Sequence, residues 1–453
     1  MPDWKRRGLV IVGAALAVGL AAPSAVAQET TPEPEADAPE ATGPPKLSSL
    51  RLARTVRAQR GHARFLVGVR LNVDAQVLVR VISASNGDVK KTIQTPEPRA
   101  AGRAYFLIDA TDDEGFQLPS GAYRVELQAT SADAGASNLV RGSFRLRLSR
   151  GRGRFDAYTV PTWKATARNH GTTSKGLIVA VVAPQGAAAT AGVRRGDVLV
   201  ALNRKRIDSP GALATAQRGL PAEREVSLVI ERDGKRMRLN MTPPPDWGQA
   251  PDFAPSLRVA SRRDPKSLSL AVARARNDIE TGELDQADEL MKAWPRSWRL
   301  SAPGQILSGE LYAARSKHKQ ALGAYNRARK RDRTIARAEF GRGISLAALQ
   351  RPEDSAKAFG AAERLDPKDA AAAAFRSYVL LRADINDEAA RAAQRSIGLD
   401  VRYADAHLPH GIAQIALENR AAGIRALRTG LLLLDEEDRA ARLIERHLEP
   451  IDP

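Results

Sequence analysis

No cysteine occurs anywhere in the 453 residues. That absence removes disulfide staples, thiolate zinc sites, cysteine nucleophiles and lipoprotein-type acylation, all of which need the sulfur. Also missing are a Gly-x-Ser-x-Gly nucleophile turn and a glycine-rich phosphate loop followed by a lysine-bearing helix. The six histidines are scattered. His407 and His410 could share a helix face, but Pro409 lies between them and no third metal ligand accompanies them. No apolar run reaches the about 20 residues of a membrane-spanning helix. The sequence therefore offers no cofactor site, no metal site and no catalytic group, and we expect a protein that is not an enzyme.

What is present is ample apolar content, 43% of residues, with 27% charged. These are proportions of a folded chain long enough for about three domains. The net charge of +18 is uneven. Between Leu50 and Pro245 there are 32 basic and 16 acidic residues, against 30 and 27 from Leu268 to the end. The basic field belongs to the first two folded regions and would attract polyanions or anionic membrane surfaces.

The N-terminus carries Lys5, Arg6 and Arg7, an apolar stretch from Leu9 to Ala22, and then Ala25-Val26-Ala27. This is the pattern of a secretory signal peptide over 1–27, with cleavage expected after Ala27 and an uncleaved anchor as the alternative. Export places the protein in the periplasm, cell envelope or exterior and argues against a nucleic-acid partner. Residues 28–46, rich in Pro, Glu and Thr, read as a disordered acidic spacer.

Residues 47–149 show period-two hydrophobicity, as in Arg64-Phe-Leu-Val-Gly-Val-Arg-Leu and Gly142-Ser-Phe-Arg-Leu-Arg-Leu. Asn86-Gly87, Gly115 and Pro119-Ser-Gly121 supply turns between such runs. The spacing predicts an all-β sandwich. The stretch Asp109-Ala-Thr-Asp-Asp-Glu-Gly-Phe-Gln-Leu-Pro-Ser-Gly-Ala-Tyr123 resembles the Ig-like domain of flagellar hook-assembly proteins, which implies a fold rather than a flagellar role. Asp109, Asp112, Asp113 and Glu114 are read as a solvated turn whose side chains bond the backbone, against a calcium-site alternative.

Within 155–245, the segment Ala188-Ala-Thr-Ala-Gly-Val-Arg-Arg-Gly-Asp-Val-Leu199 follows a buried-type strand from Gly176. Gly192 is placed for the left-handed cap of a short helix. Ser209-Pro210 opens a second helix, Ser as N-cap and Pro at its first position. This order resembles a bacterial α+β PDZ domain of the kind attached to envelope proteases. The resemblance implies an extended peptide added in a groove between a strand and a helix. It nominates Tyr158 and Val160 on the strand, and Leu213, Ala216 and Gln217 on the helix. Two departures stand out. The segment before Gly176 lacks a clear carboxylate-binding Gly loop, and the turn after Leu199–Leu202 is Asn203-Arg204 instead of Asn-Gly.

After a stiff linker over 246–264, residues 265–450 turn helical and repeat. Frames starting at 268, 302, 336, 370 and 404 keep a small residue in their eighth slot (Ala275, Gly309, Gly343, Ser377, Gly411) and their twentieth. A 34-residue period of this kind is the TPR signature, an all-α solenoid of five units with a capping helix expected over 437–448. TPR arrays bind peptides on the concave face of their first helices. That resemblance nominates Phe340, Ile344, Tyr378, Leu408 and Ile412, with packing between helices as the alternative role.

The expected function is that of an exported scaffold binding protein or peptide partners through its PDZ and TPR regions. Two alternatives remain open. One is an accessory substrate-recognition subunit of an envelope protease or secretion system. The other is a binder of anionic envelope polymers through the basic first half.

Overall fold

The computed structural model describes residues 44–59, 63–95, 97–131, 135–149, 151–246, 251–433 and 444. The expected signal peptide, nearly all of the spacer and all but one residue of the expected capping helix lie outside the described residues. The chain divides into two compact units, one containing 47–149 and the other 151–417.

The first unit's β region is a two-sheet sandwich. Strands β1 (Leu47–Leu52), β3 (Arg64–Leu71) and β6 (Gly102–Asp109) form one sheet in the order β1-β3-β6. The other runs β2-β9-β7-β4-β5, with β2 Thr55–Gln59, β4 Gln76–Ser83, β5 Val89–Gln94, β7 Gly121–Ser131 and β9 Val140–Ser149; the two-residue β8 (Gly135–Ala136) pairs with β7. Alternate residues such as Val67, Val79, Val125, Leu127 and Leu146 are fully buried between the sheets. Tyr123 stacks on Phe144 and donates its hydroxyl to the Pro119 carbonyl at 2.8 Å, pinning the Pro-Ser-Gly turn. In the acidic turn, Asp112 Oδ1 accepts from Phe116 N at 2.7 Å and Asp113 Oδ1 accepts from Thr92 N at 3.0 Å. These are backbone-bonding roles. Among the described residues no carboxylate or histidine group could hold a metal ion.

The second unit opens with a six-stranded sheet in the order β10-β11-β12-β14-β15, with β13 beside β12. The strands are β10 (Ala157–Pro161), β11 (Leu177–Val182), β12 (Val198–Leu202), β13 (Lys205–Arg206), β14 (Val226–Arg232) and β15 (Lys235–Met241). Helices α1 (Lys164–His170), α2 (Ala187–Thr190) and α3 (Pro210–Arg218) complete this region. Gly192 takes φ +86° just past α2, and the Ser209 side chain accepts from Ala212 N at the start of α3. The Asn203-Arg204 turn keeps the hairpin geometry despite lacking glycine, both residues standing at positive φ.

Helix α4 (Ala254–Arg263) leads into the repeats. First helices are α5 (Leu268–Glu280), then, after the partner helix α6 (Leu284–Lys292) and a short α7 (Arg296–Arg299), α8 (Ala302–Ala314). Partner and first helices then alternate as α9 (His318–Arg331), α10 (Ala336–Ala348), α11 (Pro352–Leu365), α12 (Ala370–Arg382), α13 (Asn386–Leu399) and α14 (Ala404–Ala416); α15 (Arg420–Leu431) follows in sequence, outside this unit. Each first helix starts on the frame read from the sequence. Two of the eighth-slot glycines, Gly309 and Gly343, are sterically required. A Cβ on Gly309 would lie 2.6 Å from the Tyr325 ring, and one on Gly343 would lie 2.8 Å from Phe359.

Candidate functional site

The PDZ region and the helical array share a core. Along β10, Ala157 faces the PDZ core while Tyr158 and Val160 face the array, as alternation in a strand requires. Val160 is fully buried with Leu257, Leu268 and Val272. The Tyr158 ring meets Phe253 edge-on at 5.8 Å, and its hydroxyl donates to Glu280 Oε2 at 3.1 Å. Tyr158 and Val160, nominated for a peptide groove, place their side chains in the seam with the first repeat. Just beyond β10, Trp163 packs against Ala302, Ile306 and Tyr325, with the Arg276 guanidinium 5.5 Å from its ring centre.

Charge completes this end of the seam. Glu310 pairs with Arg337 at 2.7 Å and with Arg276 at 3.6 Å. The two arginines hold the Glu310 carboxyl below its ordinary range against the opposing effect of burial. Burial pushes the Glu280 carboxyl up to about 7.

A second contact joins α3 to the loops after α11 and α13. Asp366 accepts from the Ser209 hydroxyl at 2.7 Å and from Gly211 N at 2.9 Å. Arg218 pairs with Asp400 at 3.1 Å. The Asp366 carboxylate thus sits at the N-terminus of α3, where backbone N–H groups and the helix dipole favour an anion. A Cβ on Gly211 would lie 2.7 Å from both oxygens, so glycine is what permits the approach.

The helix residues nominated from the sequence divide by burial. Ala216 is buried in the PDZ core, Leu213 packs on that core half-buried, and Gln217 is half-buried. Ahead of β10, the N–H groups of Gly153, Arg154 and Ala157 are already bonded, to the carbonyls of Leu220, Pro244 and Phe155. They are not available to a C-terminal carboxylate. On the array, Phe340, Ile344, Tyr378 and Ile412 are half-buried, whereas Leu408 is 2% exposed. Phe340 meets Phe359 and Phe375 edge-on at 5.4 and 5.5 Å. The ninth slot runs Arg276, Glu310, Ile344, Tyr378, Ile412, charged where the PDZ region docks and apolar beyond. His407 is buried and its Nε2–H donates to the Val401 carbonyl at 2.8 Å.

Sequence reasoning did not single out Asp366 or Asp197. Asp197 is buried and takes both Nε and Nη2 of Arg232, at 2.7 and 2.8 Å, and the N–H of Arg194.

The FlgD Ig-like domain family model matches residues 53–133, and the PDZ domain family model matches residues 162–242. The chain combines an Ig-like domain, a PDZ domain and a TPR array. In the PDZ region it is 37% identical over 67 residues to the "Periplasmic serine endoprotease DegP" of Escherichia coli strain K12, a stretch covering 15% of this chain and 14% of that one. DegP of Salmonella typhimurium strain LT2 matches over the same length at the same identity. The chain thus spans 14% of the length of the curated relatives it matches. Among solved structures, it is similar to the APC/C hetero-tetramer Cut9–Hcn1 at 17% identity and a TM-score of 0.40, over 43% of this chain and 39% of that one. It is also similar to YrrB, "a TPR protein with an unusual peptide-binding site", at 18% identity and a TM-score of 0.33, over 43% of this chain and 98% of that one.

Proposed function

We propose that the protein is an exported, non-catalytic scaffold of the cell envelope that holds protein partners on the apolar half of its TPR concave face. PDZ and TPR regions are protein-interaction modules, and their combination here supports the reading at that level. The observation that carries the finer proposal is the division of the ninth slot. The array's charged end is engaged by its own PDZ domain through Tyr158 and Trp163, leaving Ile344, Tyr378 and Ile412 as its apolar remainder. The PDZ domain then acts chiefly as a brace, and any peptide it takes between β10 and α3, against Leu213 and Gln217, enters as an internal segment. Similarity to the PDZ region of a periplasmic protease supports a second reading, a substrate-recognition subunit for an envelope protease.

A peptide library with free and amidated C-termini, presented to the full chain, tests the proposal. Capture should be indifferent to amidation, should fall about tenfold in Tyr378→Ala/Ile412→Ala and should persist in Leu213→Glu. Capture that requires a free carboxylate and vanishes in Leu213→Glu would move recognition to the PDZ groove. Absence of any capture would sink the scaffold reading.

A further inference from the structure

The outer face of the larger Ig sheet carries six exposed arginines and one carboxylate. Register places them together, because directly paired residues on neighbouring strands share a face. Arg57 on β2 lies opposite Arg147 on β9, and Arg145 follows two residues along the same strand. Across β9 and β7, Arg141 faces Glu126 and Ser143 faces Arg124; across β7 and β4, Glu126 faces Arg80. Arg57, Arg80, Arg124, Arg141, Arg145 and Arg147 are all exposed. Glu126 takes Arg141 at 2.7 Å and Arg124 at 4.0 Å. Arg57, Arg80, Arg145 and Arg147 have no anionic partner among the described residues.

Such an arrangement works against the fold. Like charges directly opposite in a sheet are destabilising, and Arg57 beside Arg147 is such a pair. A solvated strand face is satisfied by threonine, serine or an alternation of charge, and this one uses neither at those positions. All six are arginine rather than lysine, which suits planar, two-pronged bonding to carboxylate or sulfate oxygens. The spacing is regular: about 4.8 Å between strands and about 6.7 Å between successive outward residues of one strand.

We propose that this face is a docking surface for an acidic polysaccharide, its carboxylates or sulfates held by Arg57, Arg145 and Arg147 with Arg80 and Arg124 alongside. The neighbours of the arginines choose among polyanions. Thr55, Ala122 and Ser143 stand between them, so no aromatic ring is present to stack a nucleic-acid base. The exposed large apolar side chains on this face, Leu139 two residues before Arg141 and Val89 paired with Ile82, stand singly, away from Arg57, Arg145 and Arg147, and form no patch to enter a bilayer or anchor a protein interface. A strongly cationic strip of regularly spaced guanidinium groups fits an extended chain with regularly repeated acid groups.

The test uses the full chain and three probes: heparin, vesicles rich in phosphatidylglycerol, and duplex DNA. Binding to heparin should weaken steeply with salt. The variant Arg57→Gln/Arg145→Gln/Arg147→Gln should lose about tenfold or more in heparin affinity. A control removing the same charge from the PDZ hairpin, Lys235→Gln/Arg236→Gln/Arg238→Gln, should lose less than about twofold. The face variant should also melt no lower than the parent, since it relieves like-charge opposition, and this separates lost binding from lost folding. Equal losses in both variants would reduce the effect to net charge and overturn the assignment. Binding to vesicles or DNA at lower protein concentration than to heparin, or no heparin binding at low salt, would overturn it as well.

Discussion

The backbone N–H of Gly211, in the first turn of the PDZ helix α3, donates at 2.9 Å to the carboxylate of Asp366, 155 residues further along the chain. Asp366 itself follows the last residue of α11, so the end of one helix supplies the cap of another. Replacing Asp366 with Ala leaves the Gly211 N–H and the Ser209 hydroxyl without their acceptor, at a cost of about 1–2 kcal/mol. Gly211→Ala should cost at least as much, because its Cβ would meet both oxygens. Urea unfolding of the full chain gives the magnitude, and amide exchange locates it. Faster exchange in the first turn of α3 is expected in both variants. Unchanged exchange would show that the contact does not brace the PDZ helix.

Much of the architecture was legible because it repeats. Small residues recur every 34 positions where Tyr325 and Phe359 press into a neighbouring helix, and that recurrence is visible without coordinates. Alternation along β4, β7 and β9 was legible for the same reason, each strand burying one face. The seam between PDZ and array was not. Tyr158 and Val160 look like any half-buried strand residues, and only the three-dimensional arrangement decides which neighbour covers their face. Asp366 and Asp197 are single residues with distant partners, and a unique contact leaves no periodic trace. Asp366-Pro367 marks the end of α11 in the sequence as well as in the structure, but the bond to Ser209 depends on a loop meeting it.

Asp197 and Arg232 form an ionic link of the PDZ domain whose carboxylate is buried, and Arg232 also donates to the Gly192 carbonyl at 2.7 Å. One side chain therefore ties the cap of α2 to the turn before β12. Asp197→Ala removes the bonded carboxylate of a guanidinium that is 20% exposed and leaves the Arg194 N–H without its acceptor, and should destabilise the domain by about 2–3 kcal/mol. Arg232→Met should cost no less, since the buried carboxylate would keep only the Arg194 N–H. Asp197→Ala/Arg232→Met should be less damaging than the sum of the two, which a double-mutant cycle by chemical denaturation would reveal. Additive losses would mean the two residues act independently.

The fifteenth slot of the repeat offers a stabilising series. Gly282, Ser316, Gln350, Asp384 and Glu418 occupy it, and all five stand at positive φ, between 56° and 86°. Only the first repeat uses the residue that adopts this conformation without a Cβ penalty. Gln350→Gly and Asp384→Gly should each raise stability by about 0.5–1 kcal/mol despite glycine's greater freedom in the unfolded chain. Thermal unfolding of each single variant and of the pair checks this. A fall in melting temperature would mean that unfolded-state entropy outweighs the relieved strain.

Stability should also depend on pH through Glu280. Its carboxyl rises from 4.5 to about 7 on folding, chiefly through burial, with Glu310 adding to the rise and Arg276, Arg337 and the Tyr158 hydroxyl opposing it. The folded state therefore holds this proton more tightly than the unfolded chain. The resulting stabilisation is fully present below pH 4.5 and is lost as pH rises through 7. The amount at stake is on the order of 2 kcal/mol. Glu280→Gln keeps an uncharged side chain at every pH. It should match the parent near pH 4 and exceed it near pH 8, so the difference between the two unfolding curves isolates this residue from other carboxylates. Tyr158→Phe provides the complementary arm, removing the hydroxyl that donates to the charged form and so raising the Glu280 transition further. A difference that stays flat from pH 4 to 8 would show that Glu280 is ionised throughout, its charge balanced by Arg276 and Arg337.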